Sequence, residues 1–403
     1  MRVLLFNIYF HPDPTGTGLV MGQLAQDLRA AGHEVTVVTT VPHYGLDEVP
    51  IAYRGRVLVR EEWEGIRVIR TGVYLPRRKS FFSRILNYLS YMVLAAPAAL
   101  REKRQDVVVC VWPPVTTGIA AGIVSWLRGM PLVMNVQDVY PDSLFRWKIV
   151  ARANRMLERL ILHGAARVAV LSEGLNREVI ARGAREDRVR VIPMWTDVEG
   201  VTPGPKENAF RERHGLAGKF VVLYAGNLGT FSGVGVVLEA AAILKDDPRI
   251  RFLIVGRGHA RERLLRQAEA LGLSNTAFLD TRPREELGEM LAAADVSVVT
   301  LDPKLATTNV PSKAFTIMAS GRPVLAAMSA SNEISRIVEE ARCGWRVSPE
   351  NPGDLAEVIR SALGNSEELM RMGQRGRAFV EANHRRADLT TRHALVMAES
   401  INP

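Results

Sequence analysis

The residues of this chain best placed to do chemistry are glycine-rich loops and one oddly placed lysine. The first loop, His11-Pro12-Asp13-Pro14-Thr15-Gly16-Thr17-Gly18, follows a short apolar run and precedes a helical pattern. Small residues there let backbone N–H groups approach a ligand, and a helix start favours negative charge. Gly16, Thr17 and Gly18 are the expected contacts, with Thr15 or Thr17 as N-cap. The stretch Gly226-Asn227-Leu228-Gly229-Thr230-Phe231-Ser232-Gly233 repeats the arrangement in the second half. Three glycines after a strand make a phosphate cradle. In Val255-Gly256-Arg257-Gly258-His259 the glycines would let a ligand lie against the backbone, and Arg257 offers a forked donor to phosphate or base.

The lysine lies in Asn309-Val310-Pro311-Ser312-Lys313-Ala314-Phe315-Thr316, which runs on to Gly321-Arg322-Pro323. A loop meets a helix near Ser312, which can cap it; Gly321 ends the helix and a strand follows Pro323. Lys313 then falls in the first turn, where the helix dipole disfavours a cation. A neighbouring anion resolves the conflict, and a diphosphate is the obvious one. A solvated lysine is the plain alternative.

These loops need a scaffold, and the hydrophobic pattern supplies it. Apolar, β-branched runs recur at 3–8, 35–39, 67–71, 107–111, 132–136, 168–171 and 189–192, with helical stretches such as 21–31, 115–127 and 151–163 between them. Buried runs joined by crossover helices mean a mostly parallel sheet. Residues 197–206 lose all periodicity and carry two Pro and two Gly, a linker signal. The alternation restarts at 220–224, 252–255, 277–279, 296–301, 323–327 and 345–347, and helices are expected at 352–363, 367–383 and 387–400. Two doubly wound domains follow, each binding ligands beyond the carboxyl ends of its strands.

The totals agree. A chain of 403 residues, 47 % hydrophobic and 24 % charged, fills two cores without disorder. A net charge of +9 favours acidic partners. Cys110 and Cys343 sit far apart in apolar surroundings, as in a reducing cytoplasm, and form no metal cluster or disulfide framework. The first residues run directly into a strand pattern, so no signal peptide is expected, and no run is apolar enough for a confident transmembrane span. Arg77-Arg78-Lys79-Ser80-Phe81-Phe82-Ser83-Arg84 opens a helix expected to reach about Arg104. Phe82, Leu86, Leu89, Val93, Ala96 and Leu100 share one of its faces, which Tyr88, Tyr91 and Met92 widen. A basic, aromatic start on a broad apolar face suits an anionic lipid surface, and packing on the sheet is the alternative.

The segments Val136-Gln137-Asp138-Val139-Tyr140-Pro141-Asp142-Ser143, Val191-Ile192-Pro193, Gly226-Asn227-Leu228-Gly229 and Val310-Pro311-Ser312-Lys313 through Pro323 carry a resemblance in their order and spacing. The whole chain resembles retaining glycosyltransferases of family 4, closest to the fucosaminyl and colanic-acid-type enzymes of cell-surface polysaccharide assembly. The resemblance implies an α/β chain of GT-B fold, two Rossmann-like doubly wound domains facing each other across a cleft. Residues 1–199 would bind the acceptor, with the last helix, about 385–403, packing back on them; residues 200–384 would hold the nucleotide sugar. The reaction implied moves a hexosyl or N-acetylaminodeoxyhexosyl group, with retention, from a UDP- or GDP-sugar to a lipid-linked or other glycan acceptor. No cofactor and no metal are expected, and the place is the cytoplasm, at the inner face of the cell membrane. Gly226, Asn227, Gly229, Arg257, Ser312, Lys313 and Glu333 would hold the donor, and Gly16, Thr17, Gly18 and Asp138 the acceptor. Asp138 and Lys313 would serve the chemistry.

The departures from that family are specific. Its usual Arg and Lys in the glycine-rich loop are Asn227 and Ser232 here. Its two glutamates fall on Thr308 and Thr316, and its His-Asp pair becomes Gln137-Asp138. Lys313 would supply the missing positive charge. A non-catalytic sugar-nucleotide-binding module and a nucleotide-sugar epimerase of the same fold are the competing readings. A dehydrogenase lacks its fingerprint, and nucleic-acid binding lacks a reader helix.

Overall fold

The computed structural model describes residues 1–13, 15–44, 49–75, 81–139, 148–303 and 309–402, with the side chains of residues 81 and 82 outside this set. The chain divides into two compact units, Met1–Pro193 with Ala387–Pro403, and Met194–Arg386.

In unit 1 the strands are β1 (Arg2–Phe6), β2 (Glu34–Thr40), β3 (Leu58–Trp63), β4 (Ile66–Thr71), β5 (Val107–Trp112), β6 (Leu132–Val136), β7 (Arg167–Val170) and β8 (Val189–Val191). They form one sheet in the order β3-β4-β2-β1-β5-β6-β7-β8. β5 and β6 are buried along their whole length, β5 as an unbroken apolar run and β6 interrupted only by the buried Asn135, as expected in a helix-covered parallel sheet. The helices are α1 (Gly16–Ala30), α2 (Phe81–Leu100), α3 (Val115–Arg128), α4 (Lys148–Gly164), α5 (Glu173–Ala181) and, from the far end of the chain, α14 (Arg386–Ile401). Arg392 of α14 donates to the Val191 carbonyl at 3.0 Å, and Glu399 pairs with Arg167 at 3.4 Å.

β3 corrects the sequence reading, which had no strand there. It runs antiparallel to β4 at the sheet edge, through a turn in which Glu64 (φ 48°) and Gly65 (φ 75°) are both left-handed. Two such residues give the turn whose twist matches a hairpin. Arg60, Glu61 and Glu62 hide the apolar alternation, and charge is what an edge strand carries. Behind it, Arg70 of β4 is almost fully buried and donates to Glu61 at 2.5 Å, the His11 carbonyl at 2.5 Å and the Thr40 carbonyl at 3.3 Å. The His11 ring stacks on Trp63 at 4.9 Å. The loop after β1 is thereby fixed to the sheet.

Unit 2 holds β9 (Phe220–Ala225), β10 (Ile250–Val255), β11 (Thr276–Leu279), β12 (Val296–Thr300), β13 (Val324–Ala327) and β14 (Gly344–Val347), parallel in the order β11-β10-β9-β12-β13-β14. Around them lie α6 (Ala209–Arg213), α7 (Gly235–Ile243), α8 (Arg261–Ala270), α9 (Leu287–Ala292), α10 (Lys313–Ala319), α11 (Glu333–Glu340), α12 (Pro352–Ala362) and α13 (Ser366–Asn383). The expected linker is tied down. Buried Arg211 bonds Asp295 at 2.7 Å, Lys206 reaches the same carboxylate at 2.8 Å, and Arg377 of α13 donates to the Val198 carbonyl at 2.8 Å. Pairing leaves neither Arg211 nor Asp295 as an uncompensated buried charge.

Both sheets reverse their strand order once, between β1 and β5 in unit 1 and between β9 and β12 in unit 2. Such points open a crevice beyond the carboxyl ends of the strands, where ligands bind.

Candidate functional site

The reversal in unit 2 brings two separate sequence signals into contact. Gly226 follows β9, and Lys313 begins α10 after β12. A Cβ on Gly226 would stand 3.4 Å from the Lys313 Nζ. The ammonium lies 3.7 Å from the centre of the Tyr224 ring, a cation–π contact. Among the described residues no carboxylate pairs with Lys313, and burial pushes its amine down to about 7 from an ordinary 10.5. Tyr224 is itself buried, donates to the Asn227 carbonyl at 3.1 Å, and has its hydroxyl pushed upward by burial. A lysine without a carboxylate among the described residues, desolvated against a glycine backbone, is poised for an anion.

The glycine-rich loop itself corrects several expectations. The Gly226 N–H donates to the Val255 carbonyl and the Leu228 N–H to the Arg257 carbonyl, both at 2.9 Å. Only the amides of Asn227 and Gly229 remain for a ligand in the Gly226–Gly229 stretch. Gly256 and Gly258 do not make room for a ligand. A Cβ on Gly256 would lie 1.9 Å from the Gly226 carbonyl oxygen, and one on Gly258 would lie 2.3 Å from that of Leu228. Their smallness lets the two loops pack on each other, with buried Leu228 as the plug. Ser312 does not cap α10 with its side chain: it already has helical dihedrals (φ −56°, ψ −24°), which turn the hydroxyl away from the free amides.

Further along the same strand ends, Arg257 engages Asp280 at 3.3 Å and remains largely exposed. Glu333 opens α11 after β13 and pairs with Arg336 at 2.6 Å. Asn332 caps that helix through the Ile334 N–H at 2.9 Å and donates to the Asn309 carbonyl at 3.0 Å, bracing the approach to Lys313. Thr316 is half-buried on α10; Thr308 lies outside the described residues. Ser232 turns back onto the Gly229 carbonyl at 2.9 Å.

In unit 1, Thr15 is the N-cap: its hydroxyl accepts from the Gly18 N–H at 2.9 Å. This also corrects the role given to Gly18. Its amide is occupied, and a Cβ there would stand 2.6 Å from the Thr15 Oγ1, so the glycine serves the cap. Gly16 is exposed with open space around it, and Thr17 is half-buried. Asp138 stands two residues past β6, and its Oδ1 accepts from the Val139 N–H at 2.8 Å. Gln137 is buried, donating to Asn135 at 2.5 Å. Tyr140–Ser143 fall outside the described residues.

Sequence reasoning missed Asp13. It is buried beside the reversal, and its Oδ1 accepts from the His43 and Tyr44 N–H groups at 2.9 and 3.0 Å. Its Oδ2 is buried with no hydrogen-bond partner among the described residues. Burial raises its carboxyl above the ordinary range, against the opposing pull of His43, those two N–H bonds and Arg70. Tyr9 packs near Tyr44 (4.9 Å between ring centres) and His43 (5.7 Å) on the same rim. A carboxylate in a loop directly after the first strand was the available signal.

On α2, the basic cluster Arg77–Lys79 lies outside the described residues. The helix ends at Leu100, short of Arg104, and its expected single face divides. Leu86, Leu89 and Val93 are exposed, whereas Ala96 is buried. Tyr91 is also buried and donates to the Val38 carbonyl at 2.8 Å. No helix among the described residues is long and apolar enough to cross a membrane.

Two family models match in tandem: a glycosyl transferase 4-like domain over residues 15–195 and glycosyl transferases group 1 over residues 206–379. The chain is 29 % identical over 380 residues to WcaI of Escherichia coli (strain K12), named for glycosyl transfer in colanic acid biosynthesis, across 90 % of this chain and 92 % of that protein. Among solved structures it is similar to sucrose-phosphate synthase from Thermosynechococcus elongatus (TM-score 0.80, 20 % identity, 99 % and 98 % of the two chains). It is also similar to HepE of Anabaena in complex with UDP-glucose (TM-score 0.76, 18 % identity, 99 % and 100 %). Built of two Rossmann-like units, the chain is a glycosyltransferase of GT-B type, a glycosyl transferase 4-like domain followed by a group 1 domain.

Proposed function

We propose that this glycosyltransferase moves a hexosyl or N-acetylaminodeoxyhexosyl group, with retention, from a UDP- or GDP-sugar to a lipid-linked glycan in cell-surface polysaccharide biosynthesis. The observation that carries the reading is Lys313: a desolvated amine facing Gly226 and stacked on Tyr224, without a carboxylate partner among the described residues. As the sugar C1–O bond breaks, its electron pair passes to the diphosphate, and negative charge grows there. A fixed cation at that point lowers the barrier more than it tightens donor binding. Lys313 thus replaces both the cationic pair that Asn227 and Ser232 do not supply and a metal ion. Donor binding belongs to unit 2, with the Asn227 and Gly229 amides, Arg257 and Glu333 around the lysine. Unit 1 takes the acceptor, whose attacking hydroxyl donates to Asp138 as its oxygen bonds to C1. The likeness to WcaI supports the polysaccharide setting, and the UDP-glucose held by HepE supports a nucleoside diphosphate donor.

The test is a thermal-shift screen against UDP, GDP, TDP and ADP, followed by turnover of the matching sugar nucleotide with lipid-linked acceptor. A ligand at 100 times its Kd adds about 2.7 kcal/mol of stability. Binding without turnover on any lipid-linked acceptor would favour the non-catalytic module, to which the loss of the family glutamate at Thr316 points.

A further inference from the structure

We infer that the outward faces of α2, α3 and α4 together form a seat for an anionic lipid leaflet, with Trp126 as its central anchor. This rests on the proposal of a lipid-linked acceptor, but extends the contact from one helix to three. α3 packs against α2 on one side and α4 on the other, so the faces these helices turn from the sheet adjoin. On α2 the exposed apolar positions Leu86, Leu89 and Val93 follow helical spacing. α3 adds Ile123 and Leu127 around Trp126, whose indole is 80 % exposed. α4 continues the ridge with Ile149, Met156 (75 % exposed) and Leu160 (69 % exposed), spaced at 149, 156 and 160 along one face. Single exposed apolar residues are ordinary; a patch across three adjoining helices marks an interaction surface.

Charge chooses the occupant. α2 and α3 contain no Asp or Glu, and the one acid of α4, Glu158, is buried against Arg182 at 2.6 Å. Lys148, Arg152, Arg155 and Arg159 are exposed beside the α4 ridge, and Arg84 is exposed near the start of α2. On α8 and α13, by contrast, acids and bases alternate and pair, as in Arg266–Glu262 and Arg375–Glu368. A face of apolar side chains and a large exposed indole, flanked by cations and free of exposed acids, matches the headgroup boundary of an anionic membrane. Indole rings favour that depth.

Vesicle sedimentation tests this with the full chain, comparing phosphatidylcholine alone with phosphatidylcholine containing phosphatidylglycerol. The wild type should sediment with the anionic vesicles and not the neutral ones. The double variant Trp126→Glu/Leu160→Glu should bind them at least tenfold more weakly, while its thermal stabilisation by UDP, a property of unit 2, stays unchanged. An environment-sensitive fluorophore on Ile123→Cys should shift to the blue on vesicle addition, whereas the same label on Leu395→Cys, an exposed leucine of α14, should not; both native cysteines are buried. This arm reads the wild-type surface should the double variant misfold. Equal binding by the double variant, no binding by the wild type, an unshifted Ile123 label, or a Trp126-dependent dimer without lipid binding would each overturn the seat. None of these touches the assignment of donor chemistry, which stands or falls with the nucleotide screen.

Discussion

The two units share one architecture and place opposite charges at their strand-order reversals. In unit 2 the residue there is Lys313, an amine that burial drives toward neutrality. In unit 1 it is Asp13, a carboxyl that burial also drives toward neutrality. Each charge is under-compensated, for different reasons. Lys313 leans on a π-face and a glycine, and an arriving anion would restore its charge. Asp13 already holds two backbone N–H groups with one oxygen and hides the other. The same fold position is therefore open to phosphate in one unit and hostile to it in the other.

The largest effect should come from the cation. Lys313→Ala should lower kcat/KM by about two orders of magnitude, on the order of 3 kcal/mol, because a preorganised charge is lost where transition-state charge grows. Donor Kd should rise as well, since the bound diphosphate is what keeps the amine charged, and kcat should fall with it. Steady-state kinetics with parallel donor titration checks this, and turnover near wild type would remove Lys313 from the chemistry.

Next in size is the pH dependence. A lysine titrating near 7 in the folded, donor-free chain and at 10.5 when unfolded binds fewer protons folded than unfolded between those values. Its desolvation cost is therefore full below 7 and relieved as pH rises through that window, so its contribution to stability increases with pH. Donor binding reverses this, since the diphosphate restores the charge and draws in a proton. Affinity for a UDP-sugar should fall up to about tenfold per pH unit above 7. Calorimetry at pH 8.5 in buffers of different ionisation enthalpy should show uptake approaching one proton. Lys313→Arg should abolish the uptake while retaining binding. Pairwise equal heats across buffers for the wild type would show that the lysine does not change its protonation on binding and would overturn this coupling.

The loops offer a smaller contrast. Gly258 (φ 151°) has the Leu228 carbonyl where a Cβ would go, whereas Gly16 has open space. Gly258→Ala should cost about 2 kcal/mol and weaken nucleotide binding, through strain that cannot relax into solvent. Gly16→Ala should leave the melting temperature within about 1 °C, since surface changes away from such features are near neutral. Thermal melts with and without UDP compare them directly.

How much of this was legible depended on how local the cause was. The interior strands announced themselves as apolar runs, and the Thr15 cap lies three residues from the amide it serves. The dipole conflict marked Lys313 because it needs only a helix start. Its partner Tyr224 was hidden, since β9 and β12 are distant in sequence and adjacent only after the order reverses. Gly256 and Gly258 showed that something comes close, but not that the neighbour is Leu228's loop. β3 was masked by the charges that protect an edge. The burial of Asp13 depends on the turn after β2 folding over it, which no residue near position 13 encodes.

The smallest effect, and the sharpest contrast with Lys313, should follow Asp13→Asn. An amide oxygen can keep both bonds from His43 and Tyr44, so the loops after β1 and β2 stay tied. What disappears is a buried charge with one oxygen unserved. The wild-type carboxyl is raised in the folded state, so the folded chain holds more protons just above the ordinary carboxylate pKa, 3.8. Stability from this group is thus greatest when it is protonated and declines as pH rises toward and through its folded value. The variant escapes that decline. It should melt like wild type near pH 3.5 and be more stable at pH 8, by on the order of 1 kcal/mol, the scale for a buried group left unsatisfied. Its nucleotide-induced stabilisation should equal that of wild type at both pH values, because the proposed donor residues all lie in unit 2. A variant less stable than wild type at pH 8 would mean that the charged carboxylate has a favourable partner there, and the proposed opposition between the two units would fail at its acidic end.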